Sequence, residues 1–229
     1  MTEVKTVVIS GGSSGLGKAI AKQLATNYKV IILARDETEL NNAANDIGCD
    51  KYVCDVGDWQ QVGETVKSIT ERYGQIDVLI NNAGLWIQGP LDQNDWQKID
   101  EVIRVNVLGV MYLSKAVIPK MKEQKTGWII NISSQAGISA KAERTVYYAS
   151  KWAVTGFTKC LQPELAPHGI KVTGIYPGMM KTSLFKKAGI DKNLEKGINT
   201  EDIARVVEFI LTFDNEVTFP ELGIKHIED

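Results

Sequence analysis

Short β-branched apolar runs alternate with longer segments of helical period along the chain, and this alternation restricts the fold more than any other feature. The runs are Val4–Ser10, Lys29–Leu33, Tyr52–Cys54, Ile76–Asn81, Gly127–Ile132, Ile170–Tyr176 and Leu222–Lys225. Helical patterns lie between them at Gly15–Thr26, Glu37–Asp46, Trp59–Tyr73, Gln97–Lys122, Val146–Ala166 and Thr200–Thr212. Strands covered on both faces read as near-continuous apolar runs, and parallel neighbours need a crossover about the length of a helix. The pattern predicts an α/β fold, a doubly wound parallel sheet of about seven strands flanked by helices. No repeat, low-complexity tract or Pro/Ser-rich linker interrupts it, so one domain over 1–229 is expected.

Two segments strain this reading. Pro163 falls inside the helical pattern Val146–Ala166 and should kink or break it, because proline lacks the N–H and clashes with the preceding turn. Residues 178–199 show no clean period and exceed ordinary loop length, which suggests a substrate lid or a pair of short helices, the alternative being a disordered insertion.

Composition removes several function classes. The 229 residues carry 26 Lys+Arg against 28 Asp+Glu, a net charge of −2, with no basic cluster longer than Lys186-Lys187, so neither a nucleic-acid nor an anionic-membrane partner is expected. No apolar run reaches the length of a membrane span, and residues 1–10 lack a signal-peptide pattern, which predicts a cytoplasmic protein. Cys49, Cys54 and Cys160 fit neither a redox nor a zinc spacing, and His168 and His226 are far apart. No metal site is expected.

The first apolar run leads directly into Ser10-Gly11-Gly12-Ser13-Ser14-Gly15-Leu16-Gly17 and then a helix. Glycines let the backbone turn sharply and approach a pyrophosphate, whose charge is attracted by the N–H groups and dipole of the helix start. The same turn could be only a tight β-to-α connection. About twenty residues further on, Arg35 stands where a side chain would meet an adenosine ribose, suited to pairing with a 2′-phosphate. Asp36 beside it would prefer a free 2′-hydroxyl, and an exposed ion pair at a strand end is the plainer reading. Tyr147 and Lys151 are one helical turn apart, so an ammonium could lower the phenol's pKa and make it a general acid or base. A packed ring beside a snorkelling lysine would have the same spacing.

In this order the motifs resemble the short-chain dehydrogenase/reductase family over nearly the whole chain. The resemblance rests on Gly11, Gly15 and Gly17, on Cys54-Asp55-Val56, and on Asn81-Asn82-Ala83-Gly84. It continues through Asn106, Ser134 thirteen residues before Tyr147, the Tyr147/Lys151 pair, and Pro177-Gly178 followed by Thr182. It implies a Rossmann-like domain that moves hydride between a nicotinamide cofactor, NADP(H) favoured over NAD(H), and a carbonyl or alcohol. Ser134 would orient the substrate oxygen and Tyr147 exchange its proton. Lys151 would hold the nicotinamide ribose and depress the Tyr147 pKa, and Asn106 would fix a backbone bend and a relay water. The turn residues Ser13, Ser14 and Leu16, with Val56, Ala83 and Gly84, would border the cofactor. Asp55 would touch the adenine edge, Asn82 would tie adjacent strands, and Thr182 with the backbone after Pro177 would approach the carboxamide. Ser10 stands where relatives usually carry threonine. The C-terminal Phe219-Pro220-Glu221-Leu222-Gly223-Ile224 resembles the branch of NADP-dependent 3-hydroxy acid and serine dehydrogenases. Relatives form homodimers or homotetramers, and the same is expected here.

Position beside these motifs nominates Trp86, Gln135, Ile138, Met179, Met180, Leu184 and Phe185 for a substrate pocket. They are largely apolar, with no arginine among them, which points to a hydrophobic or neutral carbonyl compound. Leu184 and Phe185 could instead simply pack the lid. Lys181, Lys186 and Lys187 could steer an acyl carrier, leaving a 3-oxoacyl thioester reductase as the enzymatic alternative. A cofactor-binding sensor without turnover is the non-enzymatic one.

Overall fold

The computed structural model describes residues 4–213 and 216–228. Seven parallel strands form one sheet in the order β3-β2-β1-β4-β5-β6-β7. They are β1 (Thr6–Ser10), β2 (Lys29–Ala34), β3 (Asp50–Val53), β4 (Val78–Asn81), β5 (Gly127–Ile132), β6 (Ile170–Pro177) and β7 (Glu221–Ile224). The helices are α1 (Gly15–Leu24), α2 (Glu37–Ile47), α3 (Trp59–Tyr73), α4 (Trp96–Ile103), α5 (Gly109–Gln124), α6 (Thr145–Leu165), α7 (Leu184–Lys187) and α8 (Thr200–Leu211).

Side chains that alternate along the strands feed two cores. Val7, Ile9, Ile80 and Ile130 pack with Ile20 and Leu24 of α1 and with Ile203, Val207 and Ile210 of α8. Val8, Leu79 and Ile129 point the other way, onto Val62, Val66 and Ile69 of α3, Leu113 and Val117 of α5, and Leu161 and Leu165 of α6. Burial of one such aliphatic side chain contributes about 1.5–3 kcal/mol, and a one-residue slip would exchange the two faces, so the register is strongly specified. A third, smaller cluster joins Ile87, Val102, Ala136, Val146 and Tyr147 beside the sheet's carboxyl edge.

Several boundaries differ from the sequence reading. The third strand is Asp50–Val53, with Cys54 just beyond it. Pro163 does not break α6; it lies in the last turn, and the chain leaves through a 3-10 turn at Ala166–His168. Residues 178–199 hold one four-residue helix, not a pair, and their ends are tied together by Lys181 N–H to Ile198 O (2.9 Å) and Ile198 N–H to Met179 O (2.8 Å). The stretch Trp96–Gln124 is continuous over 29 residues, and by length and composition alone it could cross a membrane. Half of its most apolar window is buried within the molecule. Within it, Arg104–Leu108 form a π-helical turn between α4 and α5.

Candidate active site

Strand order reverses between β1 and β4, and in open α/β sheets the crevice outside the carboxyl ends of the strands at such a point is where ligands bind. A cleft of about 260 Å³ opens there. Its floor is knitted by Ser10, whose Oγ accepts from the N–H groups of Asn82 (3.0 Å) and Ala83 (3.1 Å). Asn82 Nδ2 donates back to Ser10 O (3.0 Å) and Gly11 O (3.2 Å), tying the exits of β1 and β4 together. The serine hydroxyl is thus sufficient for this link.

Gly11 sits at φ 64°, and a Cβ there would lie 2.9 Å from Ala83 Cα. At Gly17 a Cβ would lie 2.2 Å from Gly11 O, so the first turn of α1 lies directly on the loop backbone. Ser14, the N-cap of α1, makes no side-chain cap bond, which leaves the helix's first N–H groups for an anion.

At the far end of the cleft Arg35 and Asp36 both border the opening. Asp36 Oδ1 accepts from Glu39 N–H (2.8 Å) and caps α2, while Arg35 forms an exposed ion pair with Glu101 (2.8 Å). Asp55 also lines the cleft, its Oδ1 accepting from Gly57 N–H (2.9 Å). Lys187 of α7 reaches across the mouth to Glu39 of α2 (2.7 Å) and donates to Ser14 Oγ (3.3 Å).

The other end is built on α6. Tyr147 and Lys151 share its inner face and are each 6% exposed. The Ser134 hydroxyl stands near enough to the Tyr147 phenol to lower its pKa, and it accepts from Ala136 N–H (3.1 Å). Ser133, which borders the cleft, donates its hydroxyl to Lys151 O (3.2 Å), whereas Ser134 lies outside the cleft lining. Asn106, fully buried in the π turn, accepts from Leu85 N–H (2.7 Å) and donates to Leu85 O (3.0 Å) and Ser150 Oγ (3.1 Å). Ser150 Oγ in turn donates to Tyr147 O (2.6 Å), so the amide braces the helix that carries the phenol.

One expectation is corrected here. Burial pushes the Tyr147 phenol up to about 12, outweighing the opposing effect of the Ser134 hydroxyl, and burial brings Lys151 down to about 8. The Lys151 ammonium donates to Ile132 O (2.9 Å) and stands 6.0 Å from the Tyr147 ring centroid, so desolvation governs the phenol.

Of the residues singled out in the sequence, Gly11, Ser13, Ser14, Gly15, Leu16, Arg35, Asp55, Val56, Asn82, Ala83, Gly84, Tyr147, Lys151, Met180, Thr182 and Leu184 line the cleft. Pro177, Gly178 and Met179 lie outside that lining, where Gly178 N–H bonds Ile224 O (2.8 Å). Gln135 donates its amide to Tyr176 O (2.8 Å), and Ile138 is 48% exposed. Trp86 packs against the Tyr147 ring, tilted by 49° with centroids 4.3 Å apart, and Phe185, buried, meets Trp86 edge-on at 4.7 Å.

An arginine does stand beside one of the nominated residues, Trp86, outside the cleft lining. The Arg144 guanidinium is 5.7 Å from the Trp86 ring centroid, and Lys192 is 5.9 Å from the same ring. Sequence reasoning missed both, and Arg144's place three residues before Tyr147 was the one available signal. Glu39 was missed as well.

The short chain dehydrogenase family model matches residues 5–193. An uncharacterized oxidoreductase of Staphylococcus saprophyticus is 36% identical over 230 residues, 97% of each chain. The alcohol dehydrogenase of the archaeon Thermococcus sibiricus, solved with 5-hydroxy-NADP, superposes with a TM-score of 0.88 at 28% identity, covering 99% of this chain and 98% of its own. A serine dehydrogenase in its closed form with NADP+ gives 0.90 at 28% identity, covering 96% and 94%. The chain belongs to the short-chain dehydrogenase/reductase family. It is an NAD(P)-dependent oxidoreductase with the Rossmann-like fold of that family.

The cleft fits a nicotinamide dinucleotide on its own geometry. Gly11 and Gly17 leave no room for side chains at the turn, and the uncapped start of α1 faces the same space. Arg35 and Asp55 border one end, and Tyr147 and Lys151 the other.

Proposed function

We propose that the chain reduces a small carbonyl compound with NADPH, or oxidises the corresponding alcohol with NADP+, in a single domain over 1–229 whose residues 178–199 serve as the substrate lid. The observation that carries this reading is the placing of Tyr147 and Lys151 at one end of a cleft whose other end is the glycine turn, with the Ser134 hydroxyl beside the phenol. The bound nicotinamide supplies the hydride to the carbonyl carbon, or takes it from the alcohol.

The chain's own residues handle the proton. The Ser134 hydroxyl and the Tyr147 phenol converge on the substrate oxygen, and Tyr147 gives that oxygen its proton in reduction. A phenol pushed up to about 12 is protonated at neutral pH, which suits an acid in the reductive direction. For oxidation the phenol must lose its proton, which requires the Lys151 ammonium to turn from Ile132 O toward it and toward the nicotinamide ribose. Asn106 holds α6 and Leu85 in place behind the reacting groups.

Arg35 at the border of the cleft supports NADP(H) over NAD(H): the neighbouring Asp36 carboxylate is engaged as a helix cap, and a 2′-phosphate would compete with Glu101 for the exposed guanidinium. Two of the matching structures were solved with NADP species. A cytoplasmic homodimer or homotetramer completes the proposal; exposed Trp96 (85%) and Trp152 (51%) on α4 and α6 support such association, and light scattering tests it.

The experiment follows NADPH and NADH consumption over ketones, aldehydes, 3-oxo acids and 3-oxoacyl thioesters, with Tyr147→Phe alongside. Turnover should fall by about 10²–10⁴-fold in the variant while NADPH still binds. Equal turnover in the two proteins would remove Tyr147 from the mechanism, and silence across the panel with NADPH bound would favour the sensor.

A further inference from the structure

We propose that the substrate carries a carboxylate and that Arg144 and Lys192 receive it beside Trp86. This rests on the oxidoreductase reading of the same site and adds the substrate's charge to it. Trp86 covers the Tyr147 ring at 4.3 Å, so whatever lies along Trp86 is next to the reacting oxygen. Two cations converge on that one indole from different segments. Arg144 comes from the turn that starts α6, at 5.7 Å from the ring centroid. Lys192 comes from the loop after α7, at 5.9 Å, and stands 4.7 Å from the Phe185 ring as well.

Neither has a carboxylate within 4.0 Å among the described residues, although Glu143 and Asp191 are their neighbours in sequence. Three other cations around the cleft and lid are matched, Arg35 with Glu101, Lys187 with Glu39 and Lys196 with Glu228, while the exposed Lys181 and Lys186 have no ion pair among the described residues and stand over no ring. Both side chains are half-buried, and Lys192 feels the repulsion of Arg144 and Lys141, so its ammonium is held below the usual lysine range, by burial first. Like charges brought together out of water are costly unless an anion joins them. The indole Nε1 of Trp86 is a further donor, buried without an acceptor among the described residues. A carboxylate between the two cations meets this charge, while the carbonyl of the same molecule lies at Tyr147.

The test compares acids with their own neutral esters, so that charge is the only variable. The NADP+ complex of the native protein is titrated calorimetrically with 2-oxobutanoate, 3-oxobutanoate and 4-oxopentanoate, each beside its methyl ester, and the same pairs are run as substrates with NADPH. For at least one chain length the acid should bind about ten-fold or more tightly than its ester, the scale of one charge-assisted hydrogen bond. Arg144→Gln and Lys192→Gln should each bring that ratio toward one, mainly through the KM of the acid, and Arg144→Lys should restore part of it. Equal binding of acid and ester at every chain length, no binding of any acid, or a ratio unmoved by both variants would overturn the proposal. The binding ratio does not depend on proton transfer. Turnover that survives Tyr147→Phe therefore removes the catalytic reading alone, and a flat ratio with Tyr147-dependent turnover removes the carboxylate alone.

Discussion

The two ends of the cleft are built by different means. At the glycine turn, backbone meets backbone: Gly17 has 2.2 Å where a Cβ would need full van der Waals distance, and the Asn82 amide and the Ser10 hydroxyl are both engaged with main-chain groups. At the substrate end, side chain meets side chain: Phe185 on Trp86, Trp86 on Tyr147, and two cations over the same indole. The first arrangement tolerates one shape, because main-chain atoms cannot move aside. The second can repack, since rings and long side chains shift at modest cost. A dinucleotide common to many enzymes needs the first, and a substrate particular to one needs the second.

The sharpest way to break this contrast is a methyl group on each side. Gly17→Ala should cost about 1–3 kcal/mol or more and abolish NADPH binding, read by thermal melting and by cofactor titration. Phe185→Ala should leave NADPH affinity within about two-fold of native while raising KM for the substrate. Equal damage to cofactor binding from both would mean that the lid, too, belongs to the rigid end.

A second prediction concerns the charge at the adenosine end. Arg35→Asp should weaken NADPH by about 10- to 100-fold, the scale of one or two charge-assisted bonds to phosphate, and leave NADH within a few-fold. Parallel loss of both cofactors in titrations would take the 2′-phosphate away from Arg35.

The smallest effect is one of pH. Lys151 titrates near 8 in the fold against its ordinary 10.5, so between those values the unfolded chain binds more protons than the folded one. The native protein should therefore gain stability relative to Lys151→Met as pH rises from about 8 to 10.5, by up to a few kcal/mol, with a constant difference below that window. Melting curves of the pair across this range check it, and a difference that shrinks with rising pH would mean that the folded state favours the ammonium.

What could be read from the sequence divides along the same line. The sheet, its crossovers and the glycine turn are legible because periods of two and 3.6 residues and local spacings are written in consecutive residues. Tyr147 and Lys151 are legible for the same reason, being one turn apart. Arg144 and Lys192 are separated by the whole of α6, β6 and α7, and only the path of the lid brings them to one ring. The direction of the Tyr147 pKa was misread because helical spacing gives proximity but not the depth of burial, nor the Ile132 carbonyl that engages the ammonium. The part of Asp36 as a helix cap shows only in its hydrogen bond to Glu39 N–H.

The π turn at Arg104–Leu108 has a consequence for phase. One additional residue within a helix rotates everything after it by about 100° relative to everything before. Here α4 directs Ile99, Val102 and Ile103 to the cluster around Tyr147, whereas α5 directs Leu113, Val117 and Met121 to the sheet. A single rod thus serves two hydrophobic bodies whose directions a uniform α-helix of this sequence could not match together. Asn106, at the point of the rotation, joins Leu85 to Ser150 on α6. Deleting one residue between 104 and 108 would restore regular winding and set the two halves out of phase, so that either the sheet or the tyrosine's cluster would lose its cover.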